Sequence, residues 1–115
     1  MSFTQTLVSK HPVAIIALNG ELIDRQQAQQ LLDMTNELIE AGQSRIVMEL
    51  SELKYMNSTG LNAMINVLTK SRKNGGDLVI AGISRKMQEL LLVTKLNAVF
   101  TVTGTAEEGV RRFNS

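Results

Sequence analysis

The sequence contains no cysteine, one histidine and one proline. Without cysteine, disulfide frameworks, thiolate metal sites and cysteine nucleophiles are excluded. The single histidine, His11, cannot by itself supply the ligand cluster of a zinc site or act as the base of a triad. It directly precedes the only proline, Pro12, and we expect it to be an exposed loop residue. The sequence therefore predicts neither a metal site nor a catalytic residue.

Aromatic side chains are also scarce, at 3% of the chain, and the net charge is only +1, from 12 basic and 11 acidic residues. With basic and acidic residues almost equal in number, the composition shows no excess of positive charge for binding nucleic acid, and few aromatic rings are present on which bases could stack. No stretch approaches the ~18 consecutive apolar residues of a membrane span. Residues 1–10 lack the apolar segment of a signal peptide. We therefore expect a cytoplasmic protein with no nucleic-acid or membrane partner.

The composition is that of a globular protein, with 43% hydrophobic and 20% charged residues in a chain of 115. A chain of this length can bury about two thirds of its unfolded surface around one core. It contains no internal repeat, linker or low-complexity stretch. The sequence therefore predicts a single domain over residues 1–115.

Strand and helix patterns alternate along most of the chain. Short apolar runs predict buried strands at 13–18, 45–50 and 77–82, an edge strand at 3–9 and a closing strand at 99–102. The dipeptide Asn19-Gly20 predicts a tight turn after the first buried strand. Capping residues and helical spacing predict helices that begin at Asp24, Ser58, Ser84 and Thr105. This alternation predicts an α/β fold with parallel neighbouring strands.

The second predicted helix, from about Ser58 to Lys73, has an unusually wide apolar stripe. Apolar residues recur at the spacing of one buried face, at Leu61, Met64, Ile65 and Leu68. Ala63 and Val67 widen that stripe. Met64 and Val67 are therefore candidates for a patch that faces a partner, and packing in the core is an equally good interpretation of each.

The segment from Lys54 to Asn62 joins the second buried strand to this helix. Asn57, Ser58 and Thr59 are of the types that cap helix N-termini, because their side-chain oxygens accept bonds from free N–H groups. The same free N–H groups and the positive end of the helix dipole favour an anion. A phosphate on Ser58 would be tolerated there and would add about −1.5 to −2 charge at an exposed corner. The sequence alone allows both interpretations, a structural cap and a phosphorylation switch.

This junction and the strands around it resemble a STAS domain, specifically that of the bacterial anti-sigma factor antagonists. The first shared feature is a strand pattern, Val47-Met48-Glu49-Leu50-Ser51, which is followed by a loop. The second is a motif of the form Asp-Ser-Ser/Thr-Gly-Leu, which here reads Asn57-Ser58-Thr59-Gly60-Leu61. The third is a Gly-Gly turn before an apolar strand, at residues 75–80. Residues 13–24 and 96–100 resemble the family's opening and closing segments. The resemblance implies a STAS-like fold, with a mixed sheet of about four to five strands packed by about four helices.

The resemblance also implies a partner-switching mechanism. The unphosphorylated protein would bind an anti-sigma factor that is also a serine kinase of the histidine-kinase-like ATPase type, and so free a sigma factor. Phosphorylation of Ser58, with Thr59 a weaker candidate, would abolish that binding, and a PP2C-type phosphatase would restore it. ATP and Mg²⁺ belong to the kinase, so no cofactor is implied for this chain. The predicted partner-binding residues are Asn57, Ser58, Thr59, Gly60, Asn62, Met64 and Val67.

One position departs from the family pattern, because Asn57 stands where the family usually has Asp. Asn keeps the shape and an acceptor oxygen but removes a negative charge beside the target hydroxyl. The departure motivates an alternative function, a non-switching STAS scaffold or an accessory subunit of a signalling or transport complex. A third hypothesis, an enzyme, is disfavoured because His11 is far in sequence from Ser58 and because Gly75-Gly76 follows a helix instead of preceding one.

Overall fold

Strands and helices alternate in the computed structural model, which describes residues 2–9 and 11–114. Three residues of the predicted domain, Met1, Lys10 and Ser115, lie outside the described residues. The elements, in order, are β1 (Phe3–Ser9), β2 (Ala14–Leu22), α1 (Arg25–Glu40), β3 (Arg45–Met56), α2 (Ser58–Lys73), β4 (Asp77–Ala81), α3 (Arg85–Val93), β5 (Thr101–Thr103) and α4 (Ala106–Asn114).

All five strands form one mixed sheet in the order β1-β2-β3-β4-β5. β1 and β2 are antiparallel, whereas the pairs β2–β3, β3–β4 and β4–β5 are parallel. The predicted α/β fold, with a mixed sheet of four to five strands and about four helices, is therefore confirmed. No helix of the described residues is both long and apolar enough to cross a bilayer.

One predicted turn is wrong, because β2 continues through Asn19-Gly20 to Leu22. Gly20 has a φ of +91° and pairs with Phe3 of the edge strand. A Cβ atom at this position would lie 2.0 Å from the carbonyl oxygen of Ser2, and the N–H of Glu21 donates to that same oxygen. The glycine therefore allows two strands to approach closely, and no chain reversal occurs there.

The second correction concerns β3, which extends to Met56 where the sequence predicted a strand to Leu50 and then a loop. The pairing with β2 shifts register twice, between the pairs Ala17–Glu49 and Asn19–Glu52 and again before Glu21–Tyr55. At each shift β3 carries one more residue than β2, which is the signature of a β-bulge. These extra residues break the alternation of buried and exposed side chains by which strands are predicted.

Helices α1, α2 and α3 cover one face of the sheet. They contribute Leu31, Met64 and Leu91 to a core cluster that includes Ile16 and Met48 of the strands. On the opposite face α4 packs Val110 and Phe113 against a smaller cluster formed by Val13, Val47, Val79 and Ala81. The last helix therefore covers the face of the sheet opposite to the other three helices.

The closing strand, Thr101–Thr103, begins two residues later and ends one residue later than predicted. The N–H groups of Val99 and Phe100 both donate to the carbonyl oxygen of Leu96 in a turn. These residues are thus prevented from joining the strand ladder, although Phe100 is buried.

Candidate functional site

The N-termini of α1 and α2 lie side by side, because they follow two adjacent parallel strands. Leu22 and Met56 form the last register pair of β2 and β3. Ile23 and Asp24 then lead into α1, and Asn57 leads into α2. Adjacent parallel strands deliver their carboxyl ends to the same edge of a sheet, which is where α/β proteins commonly place functional residues.

Asn57 is the N-cap of α2, as the sequence predicted. Its Oδ1 accepts hydrogen bonds from the backbone N of Thr59 at 3.0 Å and of Gly60 at 3.3 Å. Its Nδ2 donates to the carbonyl oxygen of Ile23 at 2.9 Å. One side-chain amide therefore caps its own helix and also binds the neighbouring connection.

Ile23 is held from its other side by a capping box at the start of α1. The backbone N of Ile23 donates to Oε1 of Gln27 at 2.8 Å, and the backbone N of Asp24 donates to the same oxygen at 3.2 Å. The backbone N of Gln27 in turn donates to Oδ1 of Asp24 at 2.8 Å. Asn57 is therefore joined, through one carbonyl group, to the cap of the adjacent helix.

Ser58 occupies the first position of α2 and is exposed. Its hydroxyl forms no hydrogen bond within the described residues. Thr59 is half-buried, and Asn62, one turn further along the helix, is exposed. Ser58 therefore presents a more accessible hydroxyl than Thr59.

Gly60 is buried and lets the first turn of α2 pack against the end of β2. A Cβ atom at this position would lie 2.4 Å from the carbonyl oxygen of Leu22 and 2.6 Å from Cγ of Met56. Any side chain here would displace the helix, because contacts below 3.0 Å with backbone are not tolerated. Gly60 acts in the site through this close packing, without a side chain to offer a partner.

The structure decides between the two interpretations of Met64 and Val67. They are 1% and 0% exposed and belong to the large core cluster. α2 packs against β3 and β4 and also against α1. A helix with neighbours on two sides needs a wide apolar stripe, so these two side chains do not face a partner.

A groove of about 230 Å³ lies beside Asn57, between the end of β3 and α3. It is lined by Lys54, Tyr55, Met56, Asn57, Ser84, Lys86, Met87 and Leu90. This volume is below the ~300–1,000 Å³ that is usual for small-molecule sites. Tyr55, the only tyrosine of the chain, lies at the edge of this groove and is 54% exposed.

Sequence analysis missed this groove for two reasons. The bulged end of β3 turns both Lys54 and Tyr55 outward, and a regular strand would have exposed only one of them. Lys86 and Met87 come from a helix some thirty residues further along the chain, so only the fold brings them to Asn57. The one signal in the sequence was a single tyrosine in a chain with 3% aromatic residues.

His11 takes no part in the site. It is exposed, as predicted, and precedes the start of β2. Ser58 follows β3, whose last residue pairs with the last residue of β2, so it lies near the opposite end of β2. A nine-residue strand spans about 25–30 Å. In the described part of the chain, no group of three or more His, Asp or Glu side chains is placed to hold a metal ion.

A family model of the STAS domain matches residues 5–109 of the chain. The BtrV protein of Bordetella bronchiseptica is 24% identical over 101 residues, which cover 88% of this chain and 87% of that protein. The anti-sigma-B factor antagonist of Bacillus subtilis is 29% identical over 62 residues, which cover 54% of this chain and 57% of that protein.

Among solved structures, the chain is similar to the anti-sigma factor antagonist SpoIIAA of Bacillus in two forms. The unphosphorylated form gives a TM-score of 0.74 at 18% identity and covers 99% of both chains. The phosphorylated form gives a TM-score of 0.72 at 20% identity, with 97% of this chain and 99% of that chain covered. These similarities confirm the STAS-like fold that the sequence predicted.

Proposed function

The chain belongs to the STAS domain family, and on that basis we propose that it is an anti-sigma factor antagonist that acts by partner switching. Unphosphorylated, it binds an anti-sigma factor that is also a serine kinase of the histidine-kinase-like ATPase type, and the sigma factor is released. Phosphorylation of Ser58 abolishes this binding, and a PP2C-type phosphatase reverses it. The names of the B. subtilis relative and of SpoIIAA support the antagonist role, and the phosphorylated form of SpoIIAA supports the switch.

The observation that carries the proposal is the exposed hydroxyl of Ser58 at the first position of α2. The backbone around it is fixed by the Asn57 cap and by the close packing of Gly60. A kinase needs a hydroxyl that is accessible and held in a reproducible position. Ser58 meets both conditions, whereas Thr59 is half-buried.

The chemistry of the switch is a phosphoryl transfer. Oγ of Ser58 attacks the γ-phosphorus of ATP bound by the kinase, the bond from that phosphorus to the bridging oxygen breaks, and ADP leaves. The hydroxyl proton passes to a base of the kinase. In the reverse reaction, water attacks the phosphorus and the Oγ–P bond breaks, which regenerates the hydroxyl and releases inorganic phosphate.

The proposed partner-binding surface surrounds Ser58. It consists of Asn57, Ser58, Thr59 and Asn62, and it extends to Tyr55 at the edge of the groove. Exposed tyrosines are frequent anchors of protein interfaces. A phosphate on Ser58 would place about −1.5 to −2 charge in the middle of this surface. Docking would then require burial of an unpaired charge, which is why we expect phosphorylation to release the partner.

The first test is mass spectrometry of the protein isolated from its host in several growth states. Trypsin releases the peptide from Tyr55 to Lys70, which contains Ser58, Thr59 and Thr69, and fragmentation assigns a phosphate to one of them. We expect a fraction of Ser58 to carry phosphate and that fraction to change with growth state. Absence of phosphate from Ser58 in every state would contradict the switch.

The second test measures binding of the host's histidine-kinase-like ATPase to wild-type protein and to Ser58→Ala and Ser58→Asp. We expect Ser58→Ala to bind and Ser58→Asp to lose affinity by about 100-fold, because a charge would be buried at the interface. Thr69→Asp is the matched control, since Thr69 is also exposed on α2 but lies three turns away. If Ser58→Asp bound as tightly as wild type, a non-switching scaffold or an accessory subunit would be the better interpretation.

A further inference from the structure

The start of an α-helix usually offers several backbone N–H groups without partners, and an anion placed there binds to them. At the start of α2 the N–H groups of the second and third residues are already engaged. The N–H groups of Thr59 and Gly60 donate to Oδ1 of Asn57, and the N–H of Leu61 donates to the Asn57 carbonyl oxygen at 2.9 Å. A phosphate on Ser58 would have to displace the Asn57 side chain to reach the first two.

Displacing that side chain would break bonds on both of its ends. The same amide that accepts from the α2 backbone also donates from Nδ2 to the Ile23 carbonyl oxygen at 2.9 Å. The carbonyl is held in place by the capping box of α1, because the N–H of Ile23 donates to Gln27. Aspartate at this position would keep the acceptor but would lose the donor that anchors it.

From these contacts we propose that Asn57 is a positioning residue that keeps the Ser58 side chain, as hydroxyl and as phosphoester, away from the N–H groups of Thr59 and Gly60. The phosphate then projects from the corner toward the partner and leaves the helix start unchanged. This inference rests on the proposed function in taking Ser58 as the switching residue. It specifies how the switch acts, by direct obstruction of docking and without refolding of the helix terminus.

The test places phosphoserine at position 58 by genetic code expansion, so no kinase is required. Amide proton and nitrogen shifts of Thr59 and Gly60, and the phosphorus shift of the phosphoserine, are followed by NMR from pH 4.5 to 8. The second ionisation of phosphoserine falls near pH 6 and marks the titration of the phosphate. We expect the Thr59 and Gly60 amide protons to show no large downfield shift that follows this titration. A downfield shift of both amides that follows the phosphate titration would overturn the proposal.

Asn57→Gly provides the matched variant. Glycine is an acceptable N-cap, so the variant is expected to fold although it also loses the bond to the Ile23 carbonyl oxygen, and it has no side chain to occupy the N–H groups. In this variant we expect the phosphate to turn inward and the Thr59 and Gly60 amides to shift with its titration. We also expect the pKa of the phosphoserine to fall by roughly 0.2–0.7 unit relative to the wild-type background, the effect of a helix N-terminus on an anion.

An Asn57→Gly phosphoprotein whose Thr59 and Gly60 amides stay unchanged through the titration would contradict the role of Asn57. These results do not depend on the kinase, because the phosphoserine is installed during translation. Failure to find phosphate on Ser58 in the host would therefore count against the proposed function alone. A large downfield shift of the Thr59 and Gly60 amides with the phosphate titration, in the wild-type background, would count against the positioning role alone.

Discussion

The starts of α1 and α2 lie next to each other at one end of the sheet, yet they are capped in different ways. At α1, Asp24 and Gln27 form a closed pair in which each side chain bonds to the backbone of the other. At α2, Asn57 alone binds two N–H groups, and the third helical position is glycine where α1 has glutamine. At α1 the two capping residues bond to each other's backbone, whereas at α2 Ser58 stays exposed on a backbone that Asn57 and Gly60 hold in place. The difference shows that a hydroxyl at a helix N-terminus can stay exposed and unbonded when neighbouring residues make the capping and packing contacts.

The largest effect on this comparison is expected from Gly60→Ala. The new Cβ atom would lie 2.4 Å from a backbone oxygen, which forces the first turn of α2 away from β2. We expect a loss of about 2–3 kcal/mol in the free energy of unfolding, measured by urea denaturation. Gly104→Ala is the control, because its Cβ atom would meet only the end of the Glu108 side chain, at 3.3 Å. Equal stability of the Gly60→Ala protein and the wild type would show that α2 is not closely packed there.

The next largest effect is expected from exchanging amide and acid at the two N-caps, by Asn57→Asp and Asp24→Asn. Asn57→Asp removes the donor to the Ile23 carbonyl oxygen and places a carboxylate oxygen against it. We expect a net loss of about 1–2 kcal/mol, since an unsatisfied acceptor costs more than the helix dipole returns. Asp24→Asn keeps its acceptor for the Gln27 N–H and should cost no more than about 0.3–1 kcal/mol, the loss of the dipole interaction. Equal losses in the two denaturation curves would remove the distinction between the caps.

A smaller effect is expected when the capping box of α1 is opened by Gln27→Ala. Oε1 of Gln27 accepts from the backbone N of Ile23 and of Asp24, and both donors would lose their partner. We expect a loss of about 1 kcal/mol, the usual value for a helix cap. Gln26→Ala, an exposed neighbour on the same turn, serves as the control. NMR of the Gln27→Ala protein should also show shift changes at Asn57, which is joined to Ile23 from the other side.

The smallest effect concerns one buried hydroxyl in each helix. Thr35 of α1 and Ser71 of α2 are both 0% exposed. Oγ1 of Thr35 donates to the Leu31 carbonyl oxygen at 3.0 Å, whereas Oγ of Ser71 has no partner among the described residues. We expect Ser71→Ala to stabilise the protein by up to about 1 kcal/mol and Thr35→Val to destabilise it by a similar amount. Thermal unfolding distinguishes the two signs, and a destabilised Ser71→Ala protein would contradict this account.

Much of this site could be predicted from the sequence because its signals are local. Asn57 precedes a helical apolar pattern, and Asp24 and Gln27 have capping-box spacing, so both helix starts were predicted to within about one residue. The contact between Asn57 and Ile23 could not be predicted, because it joins residues 34 positions apart. It depends on β2 and β3 ending at the same edge of the sheet, which only the strand order determines.

Two failures of prediction have a physical cause in packing. Met64 and Val67 lie in a stripe that is wide because α2 packs against both the sheet and α1, and the sequence of one helix does not report its neighbours. The second half of β3 was interpreted as a loop because its bulges replace the two-residue alternation by buried residues three apart, at Leu50, Leu53 and Met56. Each error reflects a tertiary arrangement that overrides a local pattern.

The bulges of β3 have a further consequence for solubility. Beyond Glu49, where the pairing with β4 ends, β3 is paired with β2 alone. A long, regular strand with one free edge is a template on which other chains can add strands and aggregate. The two extra residues interrupt the spacing of backbone donors and acceptors along this edge, and Lys54 adds a charge to it. The irregularity that hides the strand from sequence analysis is thus expected to disfavour edge-to-edge association along this part of β3.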